Sequence, residues 1–146
     1  CEMAPIIADM PEQHTHFHRF GESLGIAFQL VDDALDYAAS QAELGKAIGD
    51  DAREGKVTLP VIIAYAQANS EERHFWQRVI GEGDCQDNDI PYAIALVEKH
   101  GGLAETLTLA RAYADEAAHA LQQIEGNTQA RAALAEAVQF CVARSY

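Results

Sequence analysis

Between Gln13 and Tyr37 apolar side chains recur at the period of an α-helix, and nothing else in the 146-residue chain constrains its fold as tightly. At about 100° per residue, Phe17, Phe20, Leu24, Ala27, Phe28, Val31 and Leu35 fall on one side, and Ile26, Leu30 and Tyr37 widen it to about 200° of arc. A helix this apolar is expected to sit deep in a bundle. What remains polar is a narrow seam of Glu22, Gly25, Gln29, Asp32, Asp33 and Asp36. Elsewhere 27 alanines and few β-branched runs keep helix propensity high and strand signals weak. The expected class is all-α, a helical bundle.

Punctuation divides the rest. Asp9 to Pro11 reads as a turn, with Pro11 near a helix start. A polar stretch from Ser40 to Lys56 holds Gly45, Gly49 and Gly55. Thr58 is the expected N-cap of a helix with Pro60 in its first turn, running to about Asn69. Ser70-Glu71-Glu72 opens another, which Gly81 and Gly83 end. Three more are expected over Asp89–His100, Leu103–Ile124 and Thr128–Arg144, separated by Gly101-Gly102 and Glu125-Gly126-Asn127. The 146 residues suit one helical domain with a sizeable core, and no repeat, linker or low-complexity segment interrupts them.

Charge narrows the function classes. Ten basic against 23 acidic residues leave a net charge of −13, a field that repels phosphate backbones and anionic headgroups, so neither nucleic acid nor a membrane surface is an expected partner. The longest apolar stretch, Thr58 to Ala66, falls far short of the roughly 20 residues that span a bilayer. No integral membrane segment is expected. Cys1, Cys85 and Cys141 are too few and too scattered for a disulfide framework, so the expected setting is reducing and cytoplasmic. The opening CEMAPIIADM reads as the tail of an apolar helix, and a piece of a longer protein is expected.

The seam carries the chemistry. Asp32, Asp33 and Asp36 stand at i, i+1 and i+4, where like charges disfavour a helix by a few tenths of a kcal/mol and partial burial raises the cost. A cation opposite them would remove that penalty. Carboxylates without His or Cys suit Mg²⁺, which keeps several waters and takes substrate phosphate oxygens as further ligands, better than Zn²⁺. A solvated acidic face in an acid-rich protein is the plainer alternative. Of only three lysines, Lys46 in LGKAIGDD and Lys56 in REGKVTLP follow within about two dozen residues. Ammonium groups beside metal-bridged aspartates would form a diphosphate clamp, although two loop lysines balancing Asp50 and Asp51 would also explain them.

The stretch GIAFQLVDDALDYAASQAELGKAIGDDAREGKVTLPVI resembles the second aspartate-rich region of the trans-isoprenyl diphosphate synthases, the polyprenyl synthetase family, and is most similar to its long-chain bacterial members. FQxxDDxxD, GKxxGDD and EGKxTLP occur in the family's order and spacing. RHFWQRVI, DIPYAIALVEKHGG and the alanine-rich end are similar to the C-terminal part of such synthases. The resemblance implies the C-terminal portion of the isoprenoid synthase fold, with residues 1–146 a fragment of a larger polyprenyl synthetase domain. It also implies Mg²⁺-dependent head-to-tail joining of an allylic diphosphate to isopentenyl diphosphate, with release of diphosphate. By that resemblance Asp32 and Asp33 hold Mg²⁺ on the allylic diphosphate, Asp36 supports the metal cluster, and Lys46 contacts the same diphosphate. Phe28 and Gln29 line the reaction centre, and Lys56 is a second basic position near the aspartates. Asp50, Asp51 and Arg53 are expected to set the loop around Lys46. Phe28 is equally an ordinary core aromatic.

Only one DDxxD occurs, so the family's first aspartate-rich motif and the residues that grip isopentenyl diphosphate have no counterpart. The chain alone is therefore expected to be inactive, and the homodimer of the family is expected of the full-length protein. Apolar surface left where further helices would pack predicts non-native association. The alternative function is a helical binding or regulatory module whose acidic stripe pairs with a partner's basic groups.

Weaker signals remain. His14 and His18 stand at i, i+4, a spacing that can bind a transition metal, but a polar first turn explains them as well. His74, His100 and His119 read as surface residues, Phe75 and Trp76 as core, Cys85 as a loop thiol with nothing to depress its pKa, and Arg144 as a helix-end cation.

Overall fold

The structure is a computed structural model that describes residues 1–38 and 49–143. Among the described residues it is all-α, with no strand. In chain order the helices are α1 (Met3–Ile7), α2 (His14–Leu35), α3 (Asp50–Arg53), α4 (Leu59–Gln67), α5 (Ser70–Trp76), α6 (Ile90–Lys99), α7 (Gly102–Gln122) and α8 (Thr128–Ala143). The expected boundaries hold to within a few residues. α5 departs from expectation by widening into a π-helical turn over Gln77–Gly81. A further departure is α3, inside the polar stretch in which no helix was expected. The expected end of α8 at Arg144 lies outside the described residues.

The chain forms two compact units. One comprises Cys1–Val31 with the chain from Thr108 onward, and the other Asp32–Leu107. The first unit is closed by small residues: Ala114, Ala117 and Ala120 cluster with Phe20, Ala27, Leu121, Ile124, Val138 and Cys141. Alanine at i, i+3 and i+6 of α7 brings neighbouring backbones close and costs little side-chain entropy. Gln13, expected only as a helix start, is buried, and its Oε1 accepts the Glu125 backbone N–H at 3.1 Å. It thereby satisfies a donor just past α7 that would otherwise be orphaned.

The second unit packs Val61 and Ala64 of α4 with Ala93, Ile94, Leu96 and Val97 of α6, alongside Trp76, Tyr37 and Ala52. Gly102 has no substitute here, because a Cβ would lie 2.5 Å from the Pro60 carbonyl oxygen. Thr58 is the N-cap residue of α4, as expected, with Pro60 in the first turn, but its hydroxyl makes no cap bond to the helix and is buried beside that of Tyr37. Phe75 and Trp76 are core, as expected, with their rings edge to face at 5.3 Å.

Candidate functional site

Helical register sorts α2 into two faces. Phe20, Ser23, Ala27, Val31 and Ala34 are buried, whereas Gly25, Phe28, Gln29 and Asp32 form an exposed strip. Phe28 is 47% exposed, which corrects its assignment to the buried apolar side. It stands one turn before Asp32 and so shares that residue's face. Its ring borders an apolar cavity of about 430 Å³ in the first unit, with Gly21, Leu24, Gly25, Phe140 and Cys141 on the other walls. The helix is thus not buried all round. Asp33 and Asp36 are half-buried.

Asp36 holds the start of α3. Its Oδ1 and Oδ2 accept the backbone N–H groups of Asp50 (3.2 Å) and Asp51 (3.0 Å), and its carbonyl accepts that of Gly49 (2.9 Å). These are the leading donors of α3, so α3 is capped by a residue well before it in sequence. Burial pushes the Asp36 carboxyl above the usual carboxylate range, and the neighbouring charges of Asp51 and Asp50 add to the rise. The two acids are themselves neutralised. Arg53 Nη1 donates to Asp50 Oδ1 at 2.8 Å, and Lys56 Nζ lies 3.0 Å from Asp51 Oδ1 and 2.7 Å from Glu54 Oε2. Hydrogen bonds donated to Glu54 and then to Asp51 hold the Lys56 ammonium well above the ordinary lysine range. Arg53 also donates from Nε to Asp87 at 3.2 Å.

Asp36, Asp50, Asp51 and Lys56 are therefore brought together within the second unit, while Phe28, Gln29, Asp32 and Asp33 line one stretch of α2. Lys46 lies outside the described residues. Among the described residues no group of three His, Cys, Asp or Glu is arranged to hold a metal ion. The candidate metal-ligating oxygens on this stretch of α2 are nevertheless the carboxylates of Asp32 and Asp33, with Asp32 exposed and the amide of Gln29 beside them. That suits a hard divalent cation which takes one or two protein oxygens and completes its shell with water and phosphate.

Sequence reasoning missed three participants. Glu54 and Asp87 were invisible as partners, although Glu54 stands two residues from Lys56. The third is Glu72, whose buried carboxylate accepts the Asn69 N–H at 2.9 Å and faces Lys99 Nζ at 2.6 Å and His100 Nε2 at 3.0 Å. N-x-x-E at 69–72 is a legible capping box. His100 is accordingly not a surface residue. His18 pairs with Glu2 and with Glu22. Burial raises the pKa of the Cys85 thiol, and the nearby charges of Arg53 and Arg78, which the sequence did not reveal, pull it the other way without reversing the rise.

Comparison with known proteins agrees with this geometry. The family model described as polyprenyl synthetase matches residues 1–97. An all-trans-nonaprenyl-diphosphate synthase (geranyl-diphosphate specific) of Rhodobacter capsulatus is 37% identical over 131 residues, which are 90% of this chain and 40% of that protein. The crystal structure of a decaprenyl diphosphate synthase from Rhodobacter capsulatus superposes with a TM-score of 0.89 at 44% identity, covering 99% of this chain and 45% of that one. A polyprenyl synthase from Caulobacter crescentus, solved with calcium and isoprenyl diphosphate, gives a TM-score of 0.78 at 43% identity, covering 91% and 40%. The chain thus spans less than half the length of the relatives it matches. The family model covers two thirds of the chain, these solved structures share its all-helical fold, and the chain belongs to the polyprenyl synthetase family.

Proposed function

We propose that this chain is the C-terminal part of a larger polyprenyl synthetase domain, whose whole protein condenses an allylic diphosphate head to tail with isopentenyl diphosphate and releases diphosphate. The observation that carries the reading is the exposed run of Phe28, Gln29 and Asp32 on α2, followed by a loop that ends in a lysine held by two carboxylates. The reaction breaks the allylic C–O bond, the electron pair leaving with diphosphate. The double bond of isopentenyl diphosphate then attacks the allylic carbon, and a proton is lost. A divalent cation, read here as Mg²⁺, supplies charge neutralisation on the departing diphosphate.

The chain's own residues do the rest. Asp32 and Asp33 hold that cation, and Asp36 completes their motif. An ammonium has three donors, and with two of the Lys56 donors directed to Asp51 and Glu54 the third is left for a diphosphate oxygen. Lys46 is a second diphosphate contact. The π face of Phe28 favours the cationic allylic carbon, and Gln29 lines the same centre. A cytoplasmic setting is supported by three cysteines that are all thiols and by the lack, among the described residues, of any helix long and apolar enough to cross a membrane. A homodimer of the complete protein belongs to the same reading.

Calorimetric titration of the 146-residue chain with inorganic diphosphate, with and without Mg²⁺, tests the site. The expected result is Mg²⁺-dependent binding that is lost in Asp32→Ala with the helical circular dichroism intact. Binding that survives this substitution would remove Asp32 from the metal site.

A further inference from the structure

We propose that Asp36 is a positioning residue: its carboxylate, by taking the leading backbone N–H groups of α3, fixes the segment that carries Asp51 and, through Asp51, the ammonium of Lys56. The inference rests on the reading of Lys56 as a diphosphate contact. Both carboxylate oxygens of Asp36 face N–H donors, at 3.2 and 3.0 Å, and the carbonyl of the same residue takes a third at 2.9 Å. One residue thus holds three consecutive donors, those of Gly49, Asp50 and Asp51.

The segment cannot easily swing away from this clasp. Gly49 has φ +77°, which favours glycine, and a Cβ there would lie 2.5 Å from Cγ2 of the buried Ile90. Ala52, the third residue of α3, is fully buried. Bringing Asp50 and Asp51 against Asp36 crowds three carboxylates at one short helix start, an arrangement stable only with cations on the outer two. Arg53 at 2.8 Å and Lys56 at 3.0 Å are those cations. The coupling therefore runs from the Asp36 carboxylate to the backbone of Asp51, from the Asp51 side chain to Lys56, and on to whatever anion Lys56 meets.

Nuclear magnetic resonance of the 146-residue chain tests the proposal, because only three lysines share the spectrum and Lys99, tied to Glu72, is an internal control. In Asp36→Asn the amides of Asp50 and Asp51 should exchange with solvent at least about tenfold faster, and the Lys56 ε signals should move while those of Lys99 stay. Unchanged protection, or Lys56 and Lys99 moving together, would overturn the proposal, the latter because it reports general loosening. Should Asp36→Asn not fold, the unaltered chain decides. Saturating MgCl₂ should leave Asp50 and Asp51 protected, whereas loss of that protection would make Asp36 a metal ligand. Inorganic diphosphate added with MgCl₂ tests the underlying reading separately. A Lys56 signal that ignores it would remove Lys56 as the contact and leave the measured clasp standing.

Discussion

Three groups converge on the carboxylate of Glu72, a side chain almost wholly withdrawn from water, and together they hold its pKa down to about 2 from an ordinary 4.5. The Lys99 ammonium is the largest cause, followed by the Asn69 N–H. A carboxyl whose folded pKa is depressed contributes stability that is fully present above the unfolded value and fades as pH falls through the folded one. The thermal midpoint of the chain should therefore exceed that of Glu72→Gln at neutral pH, and the gap should close between about pH 4.5 and about pH 2. A gap independent of pH would show that the carboxylate charge is not what Glu72 contributes. Gly49, like Gly102, is a residue whose identity is forced. With φ +77° and Ile90 2.5 Å from any Cβ, Gly49→Ala should cost about 2 kcal/mol in urea unfolding, and a loss below about 0.5 kcal/mol would mean that the segment relaxes. At this scale the aspartates, Gln29 and the glycine were legible as residue types at their spacing. Which partner each would meet was not. Asp36 stands among three carboxylates in sequence, yet its oxygens go to backbone donors.

Among the elements, α5 shows local sequence deciding structure unaided. Asn69 accepts the N–H groups of Glu71 and Glu72 while Glu72 returns the bond to Asn69, a reciprocal cap that four consecutive residues contain in full. Asn69→Ala should cost about 1 kcal/mol in chemical unfolding. A larger loss would mean that the partners of Glu72 on α6 had been disturbed too. α3 is the opposite case. Its four residues hold no cap of their own, since Gly49 provides no side chain and the carboxylate that satisfies Asp50 and Asp51 belongs to α2 and its end. No window around Ser40–Lys56 could have shown it. α2 lies between the two. Its period was plain, but its apolar arc was read too wide, because Phe28 is apolar in type and shares the register of Asp32. An exposed aromatic on a polar strip is the combination that hydrophobic patterning alone misassigns.

At the scale of the molecule, apolar side chains remain in contact with solvent in both units: Phe140 and Val57 are each 67% exposed, and Ile7 is 78% exposed. Exposed apolar area of this kind drives association. Light scattering of the 146-residue chain should show concentration-dependent association, and condensation assays with allylic and isopentenyl diphosphates should show no turnover. A monodisperse, active chain would refute the view that it holds only part of the site. The family, the all-α class and the helix boundaries to within a few residues, α3 apart, were present in the sequence, because helical period, glycine and proline punctuation and motif spacing are properties of neighbours along the chain. Tertiary structure alone decided which face of α2 meets solvent, how the charges of Asp50, Asp51, Glu54 and Lys56 pair, and that Asp36 clasps α3. Those outcomes depend on backbone donors and packed side chains brought together from distant parts of the chain, and no local pattern encodes where a hydrogen bond across such a distance will end.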